Sequence, residues 1–185
     1  MLLQAGRGRR TGFDMHTDSD GRTDLSPLDW QVGTVGDDGL TLSICLRCRD
    51  GREGNDADLD RRGGRRLAHA VADAFPDSTA ASRGVRLRGV NCMSNCKRPC
   101  TIALSGPSRF TYLFGDLDPT LHAGDVLAVA AAYAEAEDGF LPRPARPEVL
   151  REGILGRIPP RGFAGDLVEP LSLTPQHPTH ESDDL

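Results

Sequence analysis

Five cysteines stand in two tight groups, Cys45-Leu46-Arg47-Cys48 and Cys92-Met93-Ser94-Asn95-Cys96-Lys97-Arg98-Pro99-Cys100, and no other cysteine occurs in the chain. Thiolates are soft ligands, and spacings of three and four residues let neighbouring sulfurs share one centre. The chemistry they suit is a transition metal or an iron–sulfur cluster. C-x2-C is also half of a tetrathiolate zinc site, and a C-x-x-C after a first strand is where a thiol–disulfide oxidoreductase carries its redox pair. From the residues alone, these three chemistries stay open. Cys45, Cys48, Cys92 and Cys96 are the preferred four ligands. Cys100, just after Pro99, reads as a small buried residue opening a strand, or as the substitute ligand when the C-x2-C pair cannot place both sulfurs.

The elements that must hold these thiols are legible. Residues 40–44 alternate apolar and polar and predict a strand ending at Cys45. Residues 49–64 are polar and contain glycines, which predicts a loop. Leu67, Val71 and Phe75 recur every four residues and predict a helix over 65–75. Residues 85–89 alternate with Arg86 and Arg88, predicting a strand that leads to Cys92. Residues 101–104 and 110–114 read as a hairpin about the turn 105–108. Asp118 and Pro119 suit an N-cap and first helical position, opening an Ala-rich helix over 119–136 that Gly139 stops. Glu148 to Leu155 is a short amphipathic strap. The order β-α-β-β-β-α predicts two main helices against a small, mixed, four-stranded sheet, an α/β sandwich. Both cysteine groups then follow strands and fall in loops at one edge of that sheet.

The chain resembles the thioredoxin-like two-iron, two-sulfur ferredoxins in the pair Cys92-x3-Cys96 and in the hairpin TIALSGPSRFTYLFG with Phe110 and Tyr112. It is similar, more closely, to a bacterial family of unknown function described as predicted metal-binding proteins, through the runs CLRCRDG, CMSNCKRPCTIAL, FTYLFGDLDP and GRIPP. The resemblance covers roughly residues 39–160. It implies a thioredoxin-like fold, a two-iron, two-sulfur cluster (zinc being the alternative), electron transfer or cluster handling, and a redox or metal-acceptor protein as partner. It permits a homodimer. The first pair is shorter than the ferredoxin spacing, and Cys100 is additional to that pattern.

The 185 residues allow one domain with a core, here 39–160, flanked by a Gly-, Asp- and Arg-rich arm over 1–38 and a tail over 161–185, both expected to be disordered or loosely attached. Trp30 is the arm's one large aromatic anchor. The net charge of −5 argues against nucleic acid, and no apolar run approaches the ~20 residues of a membrane span. The start is not a secretory signal, so a cytoplasmic location with reduced thiols is expected. Of the 22 basic residues all but Lys97 are arginine, a bias that composition explains. His69 and His122 read as packing or surface residues, and His177 and His180 as at most an adventitious metal site. Asp116 and Asp118 read as turn and capping residues. No catalytic constellation is visible, so the chain is read as a carrier or metal-binding protein rather than an enzyme.

Overall fold

The computed structural model describes residues 39–54 and 58–171. The arm over 1–38 with Trp30, and His177 and His180 in the tail, lie outside the described residues. Five strands form one sheet: β1 (Thr41–Cys45), β2 (Arg86–Val90), β3 (Ile102–Ser105), β4 (Thr111–Phe114) and β5 (Ile154–Ile158). Their spatial order is β2-β1-β3-β4-β5. β1 pairs parallel with β2, and every other pairing is antiparallel. A parallel neighbour requires a crossover, and the crossover here is helical: α1 (Gly63–Ala74) and the short α2 (Thr79–Ser82) lie between β1 and β2. α3 (Ala123–Glu135) follows the β3–β4 hairpin, and α4 (Glu148–Glu152) precedes β5. A βαβ unit joined to a hairpin and a following helix is the thioredoxin-like α/β arrangement expected.

The register stacks one face into apolar rows. Leu42 pairs with Leu104 and Leu104 with Tyr112, while Ile44 pairs with Ile102 and Ile102 with Phe114. All six are buried, and Leu67 and Val71 of α1 and Val126, Val129, Ala130 and Tyr133 of α3 are buried in the same cluster. The Tyr133 hydroxyl donates to the Phe110 carbonyl at 2.9 Å. The Tyr112 hydroxyl accepts from the Leu141 N–H at 2.8 Å. The buried Arg146 in turn donates twice to the Leu141 carbonyl, at 2.8 and 3.1 Å. The two core tyrosine hydroxyls and the Arg146 guanidinium are thus paired, as burial requires.

The structure departs from expectation at four points. The sheet has five strands rather than four: the strap over 148–155 is α4 plus the start of β5, which pairs along β4 with an irregularity at Leu113/Phe114. The second of the two main helices, α3, begins at Ala123, not at 119, because Asp118 turns the chain first. Its carboxylate accepts from the Thr120 N–H and hydroxyl at 2.8 and 2.6 Å, and its carbonyl accepts from Leu121 and His122. α2 is additional, capped by the Ser78 hydroxyl, which accepts from the Ala81 N–H at 3.2 Å. Four residues carry too little periodicity to be read in advance. The packed chain also runs past 160, since the Phe163 ring packs edge-on against Phe110 with centroids 4.9 Å apart.

Candidate metal centre

The parallel β1–β2 pair and the antiparallel β3 bring the cysteines to one end of the sheet. Cys45 is the last residue of β1, Cys92 lies just past β2, and Cys100 lies just before β3. The Cys45 N–H donates to the Thr101 carbonyl at 3.0 Å and the Leu46 N–H to the Val90 carbonyl at 2.8 Å, so the three chain segments are tied where the thiols emerge. Cys45, Cys48 and Cys100 are buried, at 3%, 2% and 0% exposure. Cys92 and Cys96 are exposed.

Helix α1 seals the inner thiols from one side. The Gly64 N–H donates to the Cys48 carbonyl at 3.1 Å, and a Cβ at Gly64 would collide with the Cys45 carbonyl oxygen. The sequence reading began this helix two residues later because glycine is a poor helix former. The close approach to the cysteine loop is what places glycine there. The preceding loop is held by Glu53, a buried carboxylate that accepts from the Asp50 and Gly51 N–H groups at 2.5 and 3.0 Å. Burial pushes the Glu53 carboxyl up, but the backbone donors around it, its own N–H and those of Asp50, Gly63 and Gly51, hold it below the usual carboxylate value. Asp50 accepts from Arg66 at 2.5 Å.

The second cysteine loop is pinned at its base. Cys100 exchanges backbone hydrogen bonds with Leu117, at 3.1 and 3.3 Å, and the Asp116 N–H donates to the Arg98 carbonyl at 3.2 Å. Arg98 closes this base with an ion pair to Asp116. Asp118 pairs with Arg52 at 2.6 Å; Arg52, then Thr120, hold its carboxyl well below the usual carboxylate range. Both aspartates of the D-x-D therefore do turn and pairing work. At the exposed tip, Ser94 has a positive φ of 59° and its N–H donates to the Cys92 sulfur at 3.3 Å.

The inner thiols act on one another. The Cys48 thiol, followed by burial, pushes the Cys45 thiol far up, while the backbone N–H groups of Arg47 and Met93 act in the opposite sense. The Cys100 thiol is the largest influence raising Cys48; Cys45 and both the hydroxyl and N–H of Thr101 oppose it. Cys100 is buried at the start of a strand, as expected, but it is also a neighbour of the C-x2-C pair, which no spacing argument revealed. Met93 ties the exposed loop to Cys45. Outside the thiols, Arg47, Arg49 and Arg62 line a cavity of about 350 Å³ together with Cys96. Among the described residues, no three of His, Cys, Asp and Glu converge as a ready-made ion site. His122 accepts the Asp118 N–H through Nδ1 at 2.9 Å in the turn before α3, and His69 lies in α1.

Fold and site together define a thioredoxin-like α/β protein with its thiols gathered at one end of the sheet. The chain belongs to the family described as Protein of unknown function (DUF1636), whose model matches residues 42–160. No curated protein matches it. Among solved structures it is similar to a thioredoxin-like [2Fe-2S] ferredoxin from Aquifex aeolicus, at 13% identity over 69% of this chain and 99% of that one, with a TM-score of 0.42. It is also similar to the wild-type form of the Aquifex aeolicus ferredoxin, at 14% identity over 64% and 98%, with a TM-score of 0.41. No helix among the described residues is long and apolar enough to cross a membrane.

Proposed function

We propose that this protein is a metal-binding carrier whose thiol end holds a thiolate-ligated two-iron, two-sulfur cluster and exchanges an electron, or the cluster, with a partner protein. The observation that carries this reading is the environment of Cys45 and Cys48. Both are buried together with Cys100 at the end of the sheet where Cys92 also emerges, and the Ser94 N–H donates to the Cys92 sulfur at 3.3 Å. Hydrogen bonds to sulfur stabilise thiolate ligands and tune the potential of the centre they hold. Bound there, the cluster supplies one-electron chemistry that no side chain here provides.

The residue types suit such a group: Cys45 and Cys48 would form the inner pair, Cys92 and Cys96 would come from the exposed loop after β2, and Cys100 is the buried fifth thiol. Each ligand releases a proton on loading, so binding is favoured by rising pH. Arg47, Arg49, Arg62 and Lys97 moderate the negative charge that four thiolates bring. Thiol–disulfide exchange through Cys45 and Cys48 is less well served, because its attacking sulfur must be accessible, whereas both are buried.

Anaerobic purification followed by iron, acid-labile sulfide and zinc analysis and a visible spectrum tests the reading. The expected result is a coloured protein with about two irons and two sulfides per chain. A colourless protein with about one zinc per chain would replace it with a tetrathiolate zinc site. Metal-free protein with a reversible Cys45–Cys48 disulfide would point to thiol exchange.

A further inference from the structure

The cavity beside Cys96 has walls of one chemical kind: Arg47, Arg49 and Arg62. We propose that it is a binding site for a small multivalent oxyanion, a phosphate- or polycarboxylate-bearing molecule, held next to the Cys96 thiol. The chain as a whole is negative, at −5, so three guanidiniums around one depression run against its overall sign. Nearby arginines are committed to carboxylates: Arg98 to Asp116, Arg52 to Asp118 and Arg66 to Asp50. Among the described residues, no carboxylate lines the cavity. Among the described residues, no salt bridge is formed by Arg47 or Arg62. Arg62 instead donates through Nη1 to the Arg47 carbonyl at 3.3 Å, which holds these two walls together.

Adjacent guanidiniums repel, and an anion carrying two or more charges relieves that repulsion. Each planar fork of N–H donors also matches a carboxylate or phosphate edge. The cavity of about 350 Å³ has the concavity of a small-molecule site rather than of a protein-docking face. This inference rests on the arginines, and a negative centre on the cysteines would compete for them rather than create the site.

Calorimetric titration of the full-length protein, as purified and at low ionic strength, with pyrophosphate and separately with citrate tests it. At least one of the two should bind saturably at one site per chain, and which one binds separates the phosphate from the carboxylate source. Arg47→Gln and Arg62→Gln should each weaken binding about tenfold, and Arg47→Lys less, since it keeps the charge but loses the fork. Arg161→Gln, just past β5 at the opposite end of the sheet, should leave it unchanged within about twofold, as a distant screened charge does. Absence of saturable binding by both anions, or an equal loss in Arg161→Gln, would overturn the site. Chelator-treated protein should bind at least as tightly, because removing a negative centre leaves the arginines to the anion. Loss of binding there would show that a bound metal, not the arginines, holds the anion, and would equally overturn it.

Discussion

At the scale of single residues, the question is what each of five thiols contributes. The C-x2-C and C-x3-C-x3-C spacings already pointed to soft-metal chemistry, because such ligands must come in close pairs. Spacing could not show that Cys100 faces Cys48, or that Cys92 and Cys96 stay exposed, since those facts depend on how separate strands meet. With Cys45, Cys48, Cys92 and Cys96 as ligands, Cys92→Ser and Cys96→Ser each leave less than about half of the wild-type metal per chain, and Cys100→Ser retains nearly all of it. Metal analysis of the purified variants checks this. Retention in Cys96→Ser with loss in Cys100→Ser would shift the ligand set to the buried trio. The D-x-D at Asp116 and Asp118 was read as turn chemistry, and so it proves. Its pairing with Arg98 and Arg52 lies beyond sequence reasoning because the partners are distant along the chain.

Among the elements, the loop over 49–64 and helix α1 decide how tightly the inner thiols are enclosed. Gly64→Ala would ordinarily favour a helix by up to about 1 kcal/mol. Here the added methyl strikes the Cys45 carbonyl, so the variant is destabilised by about 1–3 kcal/mol as overpacking costs. Urea unfolding measures the sign, and a more stable Gly64→Ala would show that α1 sits farther from the cysteine loop than described. Glu53 ties the same loop down through charge-assisted backbone hydrogen bonds, and Glu53→Gln costs about 1–2 kcal/mol near neutrality. The Glu53 carboxyl titrates below its ordinary 4.5 in the folded protein, so the folded state binds fewer protons than the unfolded one. Its contribution is therefore complete above 4.5 and is lost as pH falls through the lower folded value. Urea midpoints of wild type and Glu53→Gln, compared at neutral and acidic pH, should converge on the acid side. The sequence reading saw 49–64 only as a polar loop. A single Glu among many charges carries no mark of burial, and only the packed loop shows that its oxygens face inward.

For the whole molecule, the core rows Leu42–Leu104–Tyr112 and Ile44–Ile102–Phe114, closed by α1 and α3, are apolar and continuous without any metal. Unlike a zinc finger, whose folding free energy is metal binding, this domain is expected to stay folded when the proposed centre is removed. Stripping the metal with a chelator under reducing conditions should keep the far-UV circular dichroism and lower Tm by roughly 4 °C per kcal/mol of binding lost. Collapse of the helical signal on chelation would show that the centre, not the core, holds the fold. By itself the sequence determined the α/β class, four strands and the two main helices, and pointed to soft-ligand chemistry, because period, turn residues and ligand spacing are local properties of the chain. It did not disclose β5 as the fifth strand, the later start of α3, the seating of Gly64 on Cys45, or the sorting of five thiols into a buried trio and an exposed pair. Those followed only from the tertiary structure, since each depends on which distant segments pack together and on how much of each side chain that packing leaves to water.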